Sequence, residues 1–264
     1  MKFHFIKTNL TVIQKICLAG LFMSLTVILQ KVVAINYLAF APFVRLSLGG
    51  PALIMFASIL LGPIYGLFVG VASDLLGYVA FDASGYPPFL QITAIYAVLG
   101  FVSYFVFSFV FSITNKKLLS IIEIGVMAAI WLVICLFVIL NQQIALFGST
   151  YELTALTKVL VCTISGVIFA GIILMSIFWK AKDNNVYTSP LHICFASFIC
   201  DFFVLVLFGS VMKACAFGFA TFLAIIICQA MVMFFNVFMD TFLISTFQRF
   251  TKKYYVEGNN ARSE

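Results

Sequence analysis

Residues 43–100 read FVRLSLGGPALIMFASILLGPIYGLFVGVASDLLGYVAFDASGYPPFLQITAIYAVLG, and this stretch decides the fold. Its apolar runs 63–81 and 88–112 are long enough for helices that cross the ~30 Å hydrocarbon core of a bilayer. Inside a bilayer the backbone must satisfy its own hydrogen bonds, which a helix does within one segment. The stretch therefore predicts membrane-spanning helices joined by short polar loops.

The rest of the chain has the same character. Of its 264 residues, 64% are hydrophobic and 9% are charged, against about half and a quarter in an average soluble domain. This composition excludes a soluble catalytic domain, and the apolar runs lack the alternation of a membrane β-barrel. We predict an all-α, polytopic integral membrane helical bundle that forms a single domain over 1–264. The expected spans, eight in all, are 12–34, 48–61, 63–81, 88–112, 120–143, 153–178, 190–210 and 216–247.

Basic residues set the expected orientation, because they favour the cytoplasmic side of a membrane. With eight crossings and the N terminus inside, basic clusters in the N-terminal segment, at 116–117, at 180–182 and after 249 all face the cytoplasm. Only Lys31, Arg45, Lys158 and Lys213 then lie elsewhere. We expect both termini in the cytoplasm and an even number of spans, with six still open.

Several kinds of chemistry have no signal in the sequence. There is no Gly-x-x-x-x-Gly-Lys-Ser/Thr motif, so active transport would take its energy from an ion gradient or another subunit. His192 has no second histidine or cysteine at ligand spacing, and the seven cysteines form no Cys-x-x-Cys pair. We predict no catalytic residues, metal site, cofactor or nucleic-acid partner.

Glycines recur at every fourth position of the third span and end at a carboxylate. Gly62, Gly66, Gly70 and Asp74 share one slowly turning helix face, which allows another backbone to come close. Helix packing is the simpler interpretation of the glycines, and approach of a ligand to bare backbone is the alternative. Asp74 needs a partner inside the bilayer, either a ligand or structural hydrogen bonds to loop amides.

Two loops beside this helix carry further candidate residues. Arg45 and Ser47 precede a Gly-Gly-Pro turn, and the guanidinium could bind a ligand carboxylate or clamp Asp74 or Asp82. In the loop 82–89, Gly85 and two prolines fix a turn that presents aromatic rings to a flat ligand or anchors them at the membrane interface. The aromatic and proline positions of this loop are Tyr86, Pro88 and Phe89.

The later and first spans contribute fewer candidates. Asp201, Gln229, Asn236 and Asp240 fall inside predicted spans, where a carboxylate such as Asp201 could accept hydrogen bonds from a ligand ring edge or pair with a neighbouring helix. In the first span, Gly20 and Ser24 give a small-x-x-x-small face that docks another helix, of this chain or of a partner.

The spaced pattern in residues 45–100 resembles the substrate-binding S component of energy-coupling factor (ECF) vitamin transporters, and most of all the folate family. The resemblance covers about the first 110 residues and, more weakly, the last two spans. The resemblance rests on an arginine, a proline in a short helix, the Gly-Pro, Gly, Gly and Asp series of the third helix, a Gly-Tyr-Pro-Pro-Phe loop and a threonine. These are carried by Arg45, Pro51, Gly62-Pro63, Gly66, Gly70, Asp74, the loop 85–89 and Thr93.

The resemblance implies a non-catalytic binding protein in the plasma membrane, in contact with membrane lipid. Its partners would be a small vitamin, a transmembrane coupling protein (T component) and two ABC ATPases, with Gly20 and Ser24 on the coupling face. The vitamin site would be formed by Arg45, Ser47, Asp74, Tyr86, Pro88, Phe89, Thr93 and Asp201.

The resemblance also implies a six-helix core, so the chain has one helical pair more than expected. We predict that 12–112 holds the first four spans of the core, 120–180 an inserted pair and 190–247 the last two spans. Folate is the implied ligand, with another flat vitamin or a precursor as alternative. A non-catalytic membrane scaffold and a lipid-modifying enzyme are the competing functions, although only scattered single carboxylates support the enzyme.

Overall fold

A computed structural model describes residues 10–33, 35–38, 41–46, 49–81, 90–113, 115–146, 149–178, 189–217 and 222–260. Helices dominate it. The helices are α1 (Val12–Val27, continued by a π-helical turn Ile28–Val32), α2 (Gly50–Leu61), α3 (Pro63–Phe81), α4 (Leu90–Phe111), α5 (Lys116–Leu140), α6 (Ala155–Phe178), α7 (Pro190–Cys200, continued by a π-helix Asp201–Phe208), α8 (Gly209–Phe217) and α9 (Phe222–Asn260).

Seven helical segments of the described residues are long and apolar enough to cross a bilayer. They lie at or close to seven of the eight predicted spans, and the predicted polytopic helical bundle is confirmed. The seventh span differs, because it continues beyond residue 210 through α8. A methyl group at Gly209 would lie 3.4 Å from the side-chain amide of Gln229 and 3.6 Å from Ile95 Cδ1, so this glycine provides space for packing and does not end the helix.

The remaining predicted span, α2, is a short helix of 12 residues that is buried along its whole length. Its neighbours Gly49 and Gly62 have φ angles of +86° and +107°, which glycine adopts without steric cost. Such residues let the chain enter and leave a helix too short to span the bilayer. Because protein surrounds α2, its ends are shielded from lipid.

Two short antiparallel hairpins join helices where the sequence predicted loops. β1 (Ile35–Leu38) pairs with β2 (Ala41–Leu46) between α1 and α2, and β3 (Gln143–Leu146) pairs with β4 (Ser149–Glu152) between α5 and α6. Strand pairing satisfies backbone hydrogen bonds that an open loop would leave to water. β2 lies against α9.

The buried side chains form two clusters. The first joins α1, α2, α3, α4, α7 and α9 around Phe56, Leu99 and Phe107. The second joins α5 and α6 to α7 and α9 around Phe234. α5 and α6 therefore add to a bundle made by the other helices, while their origin as an inserted pair stays a prediction.

Candidate ligand site at the Thr93 end of the bundle

Four helix ends meet at one end of the bundle. α4 runs antiparallel to α7 and α8, because Ile113, just after α4, contacts His192 at 2.9 Å near the start of α7, whereas Ile95 lies beside Gly209 at the start of α8. The end of α3, the start of α4, the end of α8 and the start of α9 consequently lie together. We call this region the Thr93 end.

Two predicted site residues meet at the Thr93 end. The Thr93 hydroxyl donates a hydrogen bond to Asp74 Oδ2 at 2.6 Å, and the two side chains are only 7% and 8% exposed. A short bond to a carboxylate is strong, because the acceptor carries a charge. The structure thus gives Asp74 a partner on the neighbouring helix, and contact of either residue with a ligand stays a prediction.

Backbone packing between α3 and α4 sets this geometry. A methyl group at Gly66 would overlap the carbonyl oxygen of Gly100, and one at Gly70 would overlap the carbonyl oxygen of Tyr96. The two helices touch through their main chains, as a small-x-x-x-small face allows. Gly62, by contrast, has open space around its Cα and turns the chain between α2 and α3.

The structure describes only part of the segments predicted to form the two ligand loops. The backbone of Arg45 lies in β2 opposite Asn36, in a hairpin with a local shift of register. The side chain of Arg45 lies outside the described part of the chain, as do Ser47 and the loop positions Tyr86, Pro88 and Phe89. Their proposed ligand contacts stay predictions.

A second polar pair, Lys213 and Gln229, lies at the Thr93 end and is not among the residues predicted for the site. With the Gln229 amide oriented so that each of its atoms has a suitable partner, Oε1 accepts a hydrogen bond from Lys213 Nζ at 2.5 Å, and the amide N–H donates to the carbonyl oxygen of Leu205. The signal in the sequence is a lysine just after the seventh predicted span and a glutamine within the eighth. The pairing itself depends on how α8 and α9 face each other.

Comparison with known protein families identifies the family to which this chain belongs. Residues 10–183, more than half of the chain, match the family described as ECF-type riboflavin transporter, S component. This chain belongs to that family. No curated protein and no solved structure matches it. The expected S component is confirmed, whereas the folate assignment is not, because the matching family is named for riboflavin.

In this S component, Asp201 lies away from solvent and next to another carboxylate. Asp201 and Asp240 are both fully buried, and their carboxyl groups lie near each other. Asp240 also lies near the backbone N–H of Ala52 in the first turn of α2. The first N–H groups of a helix have no partner within the helix, and α2 has no side-chain cap of its own. The structure thus places Asp201 where α7 and α9 pack, and ligand binding by this residue stays a prediction.

The first helix of the S component presents an uncovered face. A methyl group at Gly20 would have no neighbour within 4 Å, and the exposed Ser24 donates to the carbonyl oxygen of Gly20 at 2.9 Å. Large apolar side chains on α1, including Ile13 and Ile16, are also exposed. Within the described part of the chain, this face is left to lipid or to a partner helix.

Proposed function

We propose that this chain is the substrate-binding S subunit of an ECF-type importer in the plasma membrane and captures a flat heteroaromatic vitamin at the Thr93 end. A flavin is the first candidate. The observation that carries the proposal is the family match over residues 10–183, whose description names riboflavin. On this proposal the chain is not an enzyme.

The chemistry of the Thr93 end supports a ring-binding site. The isoalloxazine ring of a flavin presents an N–H between two carbonyl groups, and a carboxylate such as Asp74 accepts such an N–H. The Thr93 hydroxyl orients the carboxylate by holding Oδ2. The loop 82–89, rich in prolines and aromatics, joins α3 to α4 at this end and supplies rings that stack on a planar ligand.

Folate is the second candidate, and Asp74 is the residue that favours it. The pterin ring of folate presents an amino group beside a ring N–H, and a single carboxylate accepts both hydrogen bonds. The resemblance of residues 45–100 to the folate family points the same way.

The proposal includes an energy source in other chains. The sequence has no phosphate-binding loop of its own, and a T component with two ABC ATPases would supply ATP hydrolysis. The uncovered α1 face around Gly20 and Ser24 is the proposed contact with the T component.

Thermal unfolding of the detergent-purified protein with riboflavin, folate and other vitamins tests the proposal. A ligand at 100 times its Kd stabilises the folded state by about 2.7 kcal/mol. We expect riboflavin to raise the Tm and to lose fluorescence when it enters the site. A rise with folate alone would make the chain a folate binder, and no rise with any vitamin would contradict the function.

A further inference from the structure

Lys213 is a lysine whose ammonium group turns into the protein near the end of an apolar span. It lies within the membrane-spanning segment Pro190–Cys215, four residues before α8 ends, and its side chain is partly buried. A lysine close to a helix end usually extends its ammonium group towards water. Here Nζ instead donates to Gln229 Oε1 on α9 at 2.5 Å.

The neighbours of this ammonium group do not neutralise its charge. Gln229 is uncharged, and the ionisable side chain that interacts with Lys213 in the described residues is the thiol of Cys228. No carboxylate of the described ranges forms an ion pair with Lys213. A partly buried cation without a counter-charge is costly, and in membrane proteins such a residue marks a binding site by default.

The lysine lies at the same end of the bundle as Thr93 and Asp74. Gly209 is one helical turn before Lys213, and a methyl group there would lie within 3.6 Å of Ile95, two residues after Thr93 on α4. The Gln229 amide occupies the same junction between α8, α9 and α4. The Thr93 end thus has an acceptor, Asp74, on the α3 side of α4 and a cationic donor, Lys213 with Gln229, on the α8 side.

We propose that Lys213 and Gln229 form an anion-binding subsite, and that the ligand of this S component carries an acidic oxygen group, a phosphate or a carboxylate. The ammonium group would neutralise that group, and Gln229 would hold the ammonium group in place. This inference rests on the proposed function, since it assigns one part of the same ligand. It predicts that riboflavin, which is neutral, binds less tightly than a flat vitamin with an acidic side chain.

Matched ligand pairs test the subsite. Riboflavin is compared with riboflavin 5′-phosphate, and folate dimethyl ester, whose carboxylates are masked, with folate, in calorimetric titrations of the wild-type protein and of Lys213→Met. A hydrogen-bonded ion pair in a partly buried site changes affinity by at least about tenfold. We expect wild type to prefer the acidic member of one pair by that factor and Lys213→Met to bind both members equally. The pair that shows the preference identifies phosphate or carboxylate.

Lys158→Met is the matched control, because Lys158 is also a lysine near a helix end and donates to the carbonyl oxygen of Ile139 at 2.9 Å. It should leave the ligand preference unchanged. Equal affinities of wild type for both members of each pair overturn the inference. A preference that survives in Lys213→Met overturns it as well.

Two further measurements separate the test of the anion-binding subsite from the test of vitamin binding. If no vitamin binds, the proposed function fails, and pyrophosphate then serves as the anion probe: it should raise the Tm of wild type but not of Lys213→Met. Absence of that rise overturns the subsite. Asp82 lies outside the described residues, so Asp82→Asn is included. If wild type lacks the preference for the acidic ligand and Asp82→Asn gains it, an internal carboxylate balances the lysine in the native protein and the inference is wrong.

Discussion

At the scale of single residues, the hydrogen bond from Thr93 to Asp74 is the contact on which the candidate site depends. It joins two helices at residues 19 positions apart, with both side chains buried. A buried carboxylate that loses such a donor keeps its desolvation cost without compensation. The bond therefore contributes to folding and sets the direction of the carboxylate at the same time.

We predict that Thr93→Val lowers the free energy of unfolding by about 1.5–3 kcal/mol, the usual cost of removing a hydrogen bond to a charged group. Thermal unfolding of the detergent-solubilised protein measures the change, and ligand affinity should fall with it. Thr93→Ser keeps the hydroxyl and should retain most of both.

Thr163→Val is the control for this substitution, since the exposed Thr163 hydroxyl donates only to carbonyl oxygens of its own helix. It should unfold close to the wild-type temperature. If Thr93→Val keeps the stability and ligand affinity of the wild type, Asp74 has another sufficient hydrogen-bond donor.

At the scale of elements, main-chain contact between α3 and α4 positions Asp74 opposite Thr93. Side chains larger than hydrogen at Gly66 or Gly100 would overlap a carbonyl oxygen of the other helix. Because backbone atoms cannot rotate away as a side chain does, the helices themselves would have to separate. The glycine spacing and the hydrogen bond are parts of one arrangement.

We predict that Gly66→Ala destabilises the protein by about 1–3 kcal/mol, as overpacking does in a close-packed interior. Gly125→Ala on α5 is the matched control, because a methyl group there meets nothing within 4 Å. Alanine is the better helix former by up to about 1 kcal/mol, so the control should be neutral or more stable. Similar Tm values for the two variants would contradict close packing at Gly66.

The uncovered face of α1 gives a second prediction at this scale. Gly20→Leu should leave folding and vitamin binding unchanged, since no atom lies within 4 Å of the added Cβ. It should reduce copurification of the T component by at least about tenfold, because a small-residue contact does not accommodate leucine. The control, Gly125→Leu, faces open space on another helix and should copurify normally. Retained association in Gly20→Leu would place the coupling contact elsewhere.

At the scale of the whole molecule, the bundle consists of a core with a helical pair at its side. The main cluster joins α1–α4, α7 and α9, and α5 with α6 reaches it through a separate cluster. Protein encloses α2, so the chain can turn back between α1 and α3 through a helix that is too short to span the bilayer. The prediction that both termini lie in the cytoplasm requires eight crossings, so α2 must be counted as a crossing together with the seven long helices.

Orientation is tested with single cysteines on either side of α5. Asn115 and Gln142 are both exposed, and one precedes α5 while the other follows it. In a parent in which the exposed Cys17 and Cys215 are serine, a membrane-impermeant thiol reagent should label Gln142→Cys in intact cells. It should label Asn115→Cys only after permeabilisation. The reverse pattern would place the termini outside.

The sequence by itself determined the membrane class, the positions of nearly all spans and the break between the second and third spans at Gly62-Pro63. Hydropathy along a run of residues and the presence of Gly-Pro are local properties, so they can be read without knowing which helices are neighbours. The resemblance in residues 45–100 added the S component, which the family match confirms. The vitamin itself stays a proposal.

Only the tertiary structure decided the pairs between helices. Thr93 with Asp74, Lys213 with Gln229, and Asp201 with Asp240 each depend on how two helices are rotated about their axes. In these spans nearly every face is apolar, so periodicity gives little information about rotation. Rotation is instead set by close packing, such as the contact of Gly66 with Gly100, which exists only once the helices are assembled.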